Sequence, residues 1–195
     1  MNLNKRAGTI ILKPKVAWTI ISKENRTVKN LYKNYLFKIA LIPAIAHIIG
    51  YGIFGYHQVN VGFDTSFFVG LKYAVITYVT IVCTTYISAF IISRLATFFE
   101  VEKNLNKAFE LVVYSFTPFM VFSIFNISTS MHRIVEFISL YGLYVMYQGF
   151  TTMLKVNEEK LITYFVMSFI SIITVFVFIL KMLTLLIIGN IVDPV

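Results

Sequence analysis

An all-α, polytopic membrane bundle is the fold class this sequence predicts. Three observations predict it. Of 195 residues, 58% are hydrophobic and only 13% charged, against about 25% charged in a soluble domain. Five continuous apolar runs are each long enough to cross a bilayer. Lys and Arg gather on one side of those runs, as the positive-inside rule requires. A mean hydropathy of +0.79 excludes a disordered chain and argues against a soluble enzyme.

The runs are Leu36–Gly55, Phe67–Ile92, Ala108–Ile127, Ile134–Leu154 and Leu161–Ile188. A hydrocarbon core of about 30 Å needs about 20 helical residues. Transmembrane strands would alternate in segments of about 10 residues, and these runs do not alternate. The connectors are too short to hold a soluble domain. The division expected is therefore an amphipathic N-terminal segment, 1–35, and a five-helix domain, 36–195. The fifth run is over-long: it either tilts or ends near Lys181, with the rest at the interface.

Ahead of the first span lies a segment with its own pattern. Ile10, Ile11 and Leu12 precede Pro14, and Val16, Ala17, Trp18, Ile20 and Ile21 follow, interleaved with Lys13, Lys15 and Lys23. Pro14 suits a first helical turn, and Thr27 suits the cap of the next helix. Trp18 favours the headgroup level and the lysines favour anionic lipid. Lys13, Lys15 and Trp18 are thus candidate lipid-surface contacts. The plainer alternative is a basic flank whose apolar residues pack under the bundle. No apolar core precedes a small-residue cleavage site, so no cleavable signal is expected and the first span does the targeting.

Five spans place the termini on opposite sides. The N-terminal side carries 14 Lys and Arg, and the other side only Lys72, Arg133 and Lys181. This predicts a cytoplasmic N-terminus and a non-cytoplasmic C-terminus. It also accounts for most of the formal charge of +8 without nucleic acid. The single Cys83 forms no disulfide within the chain and suits a buried thiol.

Polar side chains inside spans carry the functional information, because each is costly unless it faces protein or water. Thr77, Thr80, Thr84 and Ser88 share one helical face, as do Glu110, Tyr114 and Thr117. Tyr141, Tyr144, Gln148 and Thr152 lie on the fourth run, and Tyr164 and Ser168 on the fifth. Thr84, Ser88, Tyr114, Thr117, Gln148 and Ser168 all fall about 7–15 Å from the cytoplasmic end. They form a candidate intramembrane polar layer, read either as interhelical packing or as the lining of a polar cavity. His47 is the candidate midplane ionisable group. Pro118 is a candidate kink, and Gly142 and Gly149 give the fourth run a close-packing face.

No GxSxG, HExxH, P-loop or CxxC occurs, so no catalytic, metal or cofactor site is expected. Two functional classes compete. One is a non-enzymatic scaffold or adaptor that binds membrane lipids, other membrane proteins or itself. The other is a small transporter or channel using the polar layer and His47.

Four stretches carry a resemblance: ILKPKVAWTII at 11–21, IPAIAHIIG at 42–50, YSFTP at 114–118 and LYGLYVMYQGFTTMLKV at 140–156. In order and spacing they resemble the Yip (Ypt/Rab-interacting protein) domain family, in its short prokaryotic branch. The resemblance covers nearly the whole chain. It implies a five-helix, multi-pass domain with a cytoplasmic N-terminus, here in a bacterial cytoplasmic (inner) membrane. The family's Tyr–x–x–Thr–Pro stretch falls on Tyr114, Thr117 and Pro118. Its Tyr–Gly–x–Tyr stretch falls on Tyr141, Gly142 and Tyr144. Eukaryotic members bind Rab-type GTPases, but the long N-terminal region found in them is lacking here, so that role does not carry over.

Overall fold

The computed structural model describes residues 2–58, 62–128, 131–154 and 156–189. It opens with a helical hairpin, α1 (Leu3–Leu12) and α2 (Pro14–Ile21). Pro14 sits in the first turn of α2, where its missing N–H has no partner to lose. Thr27 then caps the long α3 (Val28–Phe54), its side chain accepting from the Asn30 N–H. A two-stranded antiparallel hairpin, β1 (Tyr56–Gln58) and β2 (Gly62–Asp64), joins α3 to α4 (Phe67–Phe99). Ser66 caps α4, and Asn104 caps α5 (Leu105–Ile127). Then come α6 (His132–Ser139), α7 (Tyr141–Gly149) with a π-helical turn over Phe150–Leu154, and α8 (Glu158–Ile187).

Among the described residues, four helices are long and apolar enough to cross a membrane: α3, α4, α5 and α8. The fourth expected crossing, 134–154, is helical but segmented. It breaks at Leu140 and winds into a π turn after Gly149. The fifth run continues past Lys181 as one helix to Ile187. Pro118, lacking the N–H that would continue the ladder, divides α5 at Phe116.

α5 is the most enclosed of the four long helices and α8 the most peripheral. α4 packs along α3, α5 and α8. Glycine lets backbones meet: a methyl on Gly70 would stand 3.0 Å from the His47 carbonyl oxygen, and one on Gly50 2.7 Å from that of Asn126. The hydrophobic core runs through Leu31, Leu36, Phe109, Val113, Phe150 and Tyr164, and it includes Ile10, Ala17, Trp18 and Ile21 of the N-terminal hairpin.

Candidate functional site: a buried polar centre beneath the N-terminal hairpin

The inner face of the hairpin consists of Arg6, Ala7 and Ile10 of α1 and Ala17, Trp18 and Ile21 of α2. These are helical spacings of one face. Arg6 therefore lies among apolar residues, and it is 1% exposed. A charge so enclosed requires a partner. Its Nη2 donates to both oxygens of Glu24, at 2.6 and 2.9 Å. Arg26 Nε donates to Glu24 Oε2 at 2.7 Å. Burial alone would raise the Glu24 carboxyl. The hydrogen bond from Arg6 and the charges of both arginines outweigh it and hold the group below its usual range. Burial likewise works to lower Arg6, and the bond to Glu24 more than offsets it, so the guanidinium stays above its usual range.

Beneath Arg6 lies an aromatic floor. The guanidinium sits 5.5 Å from the centroid of the Tyr114 ring, within cation–π range. Tyr114 meets Trp18 and Tyr35 edge-on, at centroid distances of 6.0 and 4.9 Å. Tyr35 and Thr117 share a hydroxyl–hydroxyl hydrogen bond of 2.8 Å. Glu110, one turn before Tyr114, is buried too. Arg6 Nε and Nη1, Glu110 Oε1 and the Tyr114 hydroxyl are buried without a protein hydrogen-bond partner. The centre thus holds charge and polar capacity where α1, the 22–27 connection and α5 meet. Its chemistry is that of an electrostatic clamp.

Trp18 requires a correction. It is not at a lipid surface but 0% exposed, with its Nε1–H donating to the Val145 carbonyl at 2.8 Å. The indole's polar edge needs one acceptor, and a carbonyl with two lone pairs supplies it as well as a headgroup would. Gly149 leaves the room: a methyl there would lie 2.5 Å from Leu111 Cδ1 and 2.8 Å from Trp18 Cζ2. A methyl on Gly142 would stand 2.9 Å from the backbone oxygen of Ser115. Lys13 and Lys15 are exposed on the outer face of the hairpin, beside exposed Leu12, Val16 and Ile20.

The residues of the expected polar layer are mostly enclosed. Tyr114 and Thr117 belong to the centre beneath the hairpin. Thr84, Ser88 and Ser168 are fully buried on α4 and α8, two helices that pack along each other. Gln148 is half-buried, and the close-packing face of α7 is that of Val145, Met146 and Gly149. His47 lies beside the rings of Tyr51 and Tyr73, at centroid distances of 5.9 and 6.2 Å. Pro118 sits in the first turn of the second half of α5. A cleft of about 330 Å³ between α5, α7 and α8 is almost wholly apolar, lined by Phe116, Phe119, Leu143, Met146, Phe169 and Phe176 among others.

Sequence reasoning missed Arg6, Glu24, Arg26 and Tyr35 as parts of one site. The signal available was Arg6 itself, which falls on the apolar face with Leu3, Ala7 and Ile10. Counting it only as topogenic charge concealed it.

A family model described as the Yip1 domain matches residues 8–180. No match was found among curated proteins or among solved structures.

Proposed function

Because the chain belongs to the Yip1 domain family over residues 8–180, we propose that this multi-pass membrane protein is a non-enzymatic scaffold or adaptor. It acts through what it binds: membrane lipids, other membrane proteins or a second copy of itself. The observation that carries this reading is the state of the polar side chains within the spans. Thr84, Ser88, Tyr114, Thr117 and Ser168 are all 0% exposed. A transport path needs such groups to face water, whereas helix–helix packing needs them enclosed. The exposed lysines and apolar residues on the outer face of the hairpin suit an anionic lipid surface. The charge asymmetry supports a cytoplasmic N-terminus, and the resemblance supports a bacterial cytoplasmic membrane.

The test uses the full chain in sealed vesicles, with Ser168→Cys in a Cys83→Ala background. A scaffold leaves ion and solute flux at the level of empty vesicles and leaves the introduced thiol unreactive toward a water-soluble maleimide. Flux together with labelling of that thiol would replace this reading with that of a transporter.

A further inference from the structure

Close contacts fix the relative heights of the helices. Gly70 of α4 stands against His47 and Ile48 of α3, and the two helices run antiparallel through the β1–β2 connection. Counting along both from that contact brings Lys38 level with Thr80. The Tyr78 hydroxyl, donating to the Phe37 carbonyl at 3.5 Å, agrees. On the other flank Tyr164 of α8 donates to the Ile92 carbonyl at 2.8 Å. The same counting brings Phe176 level with Thr80, and so with Lys38, to within about a turn.

At this one height the two flanks expose opposite chemistry. The outward residues of α3 are Lys29, Asn30, Lys33, Asn34, Phe37 and Lys38, five of the six polar, and beyond Lys38 the apolar Leu41 and Ile45 follow. Level with that polar stretch, α4 exposes Tyr86 and Ile87, and α8 exposes Met167, Ile170 and Ile173. α8 bears no charge from Leu161 to Leu180, about 30 Å of helix, a full hydrocarbon thickness. α4 is uncharged from Tyr73 to Ser93. The hairpin brings its lysines to the height of those of α3, beside the exposed Leu12 and Val16. Tyr141 donates to the Ile11 carbonyl at 2.8 Å, two residues before exposed Lys13. Tyr141 adjoins Gly142, which lies against Ser115. Thr117, two residues on, is bonded to Tyr35, three residues before Lys38. Lys13 and Lys38 thus share nearly one height.

A flat membrane surface does not satisfy both flanks. Placed at Lys160 and Arg94, it buries the lysines of α3 and the hairpin in hydrocarbon, at several kcal/mol by common scales. Placed at Lys38, it strips lipid from the apolar outer faces of α4 and α8. The structure assigns a stepped boundary: on the N-terminal side of the membrane the headgroup layer dips along α3 and the α1–α2 hairpin and stays high along α4 and α8. The surface that α3 and the hairpin present is therefore one for lipid phosphates drawn below their normal plane. The bilayer is locally thin there, an adjustment that costs a fraction of a kcal/mol per Å.

The experiment places single cysteines in a Cys83→Ala full chain in nanodiscs and measures labelling by a membrane-impermeant maleimide. Asn34→Cys and Ile173→Cys lie at one height on opposite flanks, and neither removes a lysine. A stepped boundary makes the Asn34→Cys chain react at least about tenfold faster than the Ile173→Cys chain, since the charged reagent is excluded from hydrocarbon. Equal rates, high or low, would overturn it. A rigid tilt is separated by Lys72→Cys, near the opposite end of the α3–α4 pair. Thinning leaves the thiol of Lys72→Cys reactive, whereas a tilt that lifts Asn34 into water draws position 72 into the bilayer. A shielded thiol there would overturn the proposal. Lys13→Cys repeats the measurement on the hairpin and must follow Asn34→Cys. Slow labelling of Lys13→Cys beside fast labelling of Asn34→Cys would remove the hairpin from the step.

Discussion

At the scale of single residues, two side chains hold the N-terminal hairpin to the bundle. Trp18 combines complete burial, a hydrogen bond to Val145 and an edge contact with Tyr114. Trp18→Ala should cost about 3–5 kcal/mol of stability, read from denaturant unfolding in micelles. Arg6 and Glu24 are not equivalent partners. Glu24→Gln leaves a buried guanidinium without its counter-charge and should cost about 3–5 kcal/mol. Arg6→Met fills the space with apolar atoms and leaves Glu24, which is partly exposed, still paired with Arg26. It should cost clearly less, and equal losses would contradict the clamp. The sequence allowed a short Pro14-started helix carrying Trp18 to be recognised. The acceptor 127 residues away left no local trace, so the ring's general preference for the headgroup level misplaced it.

At the scale of elements, the hairpin is an amphipathic pair with both faces in use. Its inner face joins the core and its outer face keeps the lysines. Its docking depends on pH through Glu24, whose carboxyl is held below the ordinary 4.5 by Arg6 and Arg26, against burial. A carboxylate lowered on folding contributes fully above its unfolded value and loses that contribution as pH falls through its folded value. Arg6, held above its ordinary range, stays charged throughout. The contribution of Glu24 to docking should be lost below about 4, and the docked state should loosen there. The chain has a single Trp, so Trp18 emission reads this directly: a red shift on acidification is expected, and it should be absent in Glu24→Gln. The helices that cross were legible because continuous hydrophobicity over about 20 residues has few alternatives. The segmentation of 134–154 was not, since the break at Leu140 and the π turn answer to neighbours. Gly149 faces Trp18 and Leu111, and Gly142 faces Ser115.

At the scale of the molecule, the fold is a bundle enclosed around α5, with α8 the most exposed of the four long helices. Topology is testable there. A reporter that works only in the cytoplasm should be active when fused ahead of Met1 and inactive after Val195, and the reverse would refute the orientation drawn from the lysines. The all-α class and the core helices were readable in composition and run length. The polar layer was readable as a set of depths but not as a set of contacts. Depth follows from counting along each helix, whereas contact depends on how each helix turns. Gln148 shares the depth of Tyr114, yet it sits on a half-exposed face of α7.

The integration of the N-terminal hairpin into the bundle is tested most directly by Trp18 emission in the native chain and in Gly149→Leu, both in the same nanodiscs. Gly149 lies on α7, far along the chain from α2, and its missing side chain makes the space the indole occupies. A larger residue there should displace the ring, since overpacking a filled core typically costs about 1–3 kcal/mol. The native chain should emit in the blue and resist acrylamide, and Gly149→Leu should shift emission to the red and admit the quencher. Identical spectra in the two chains would mean that Trp18 lies at the lipid surface after all and that the hairpin is not part of the core.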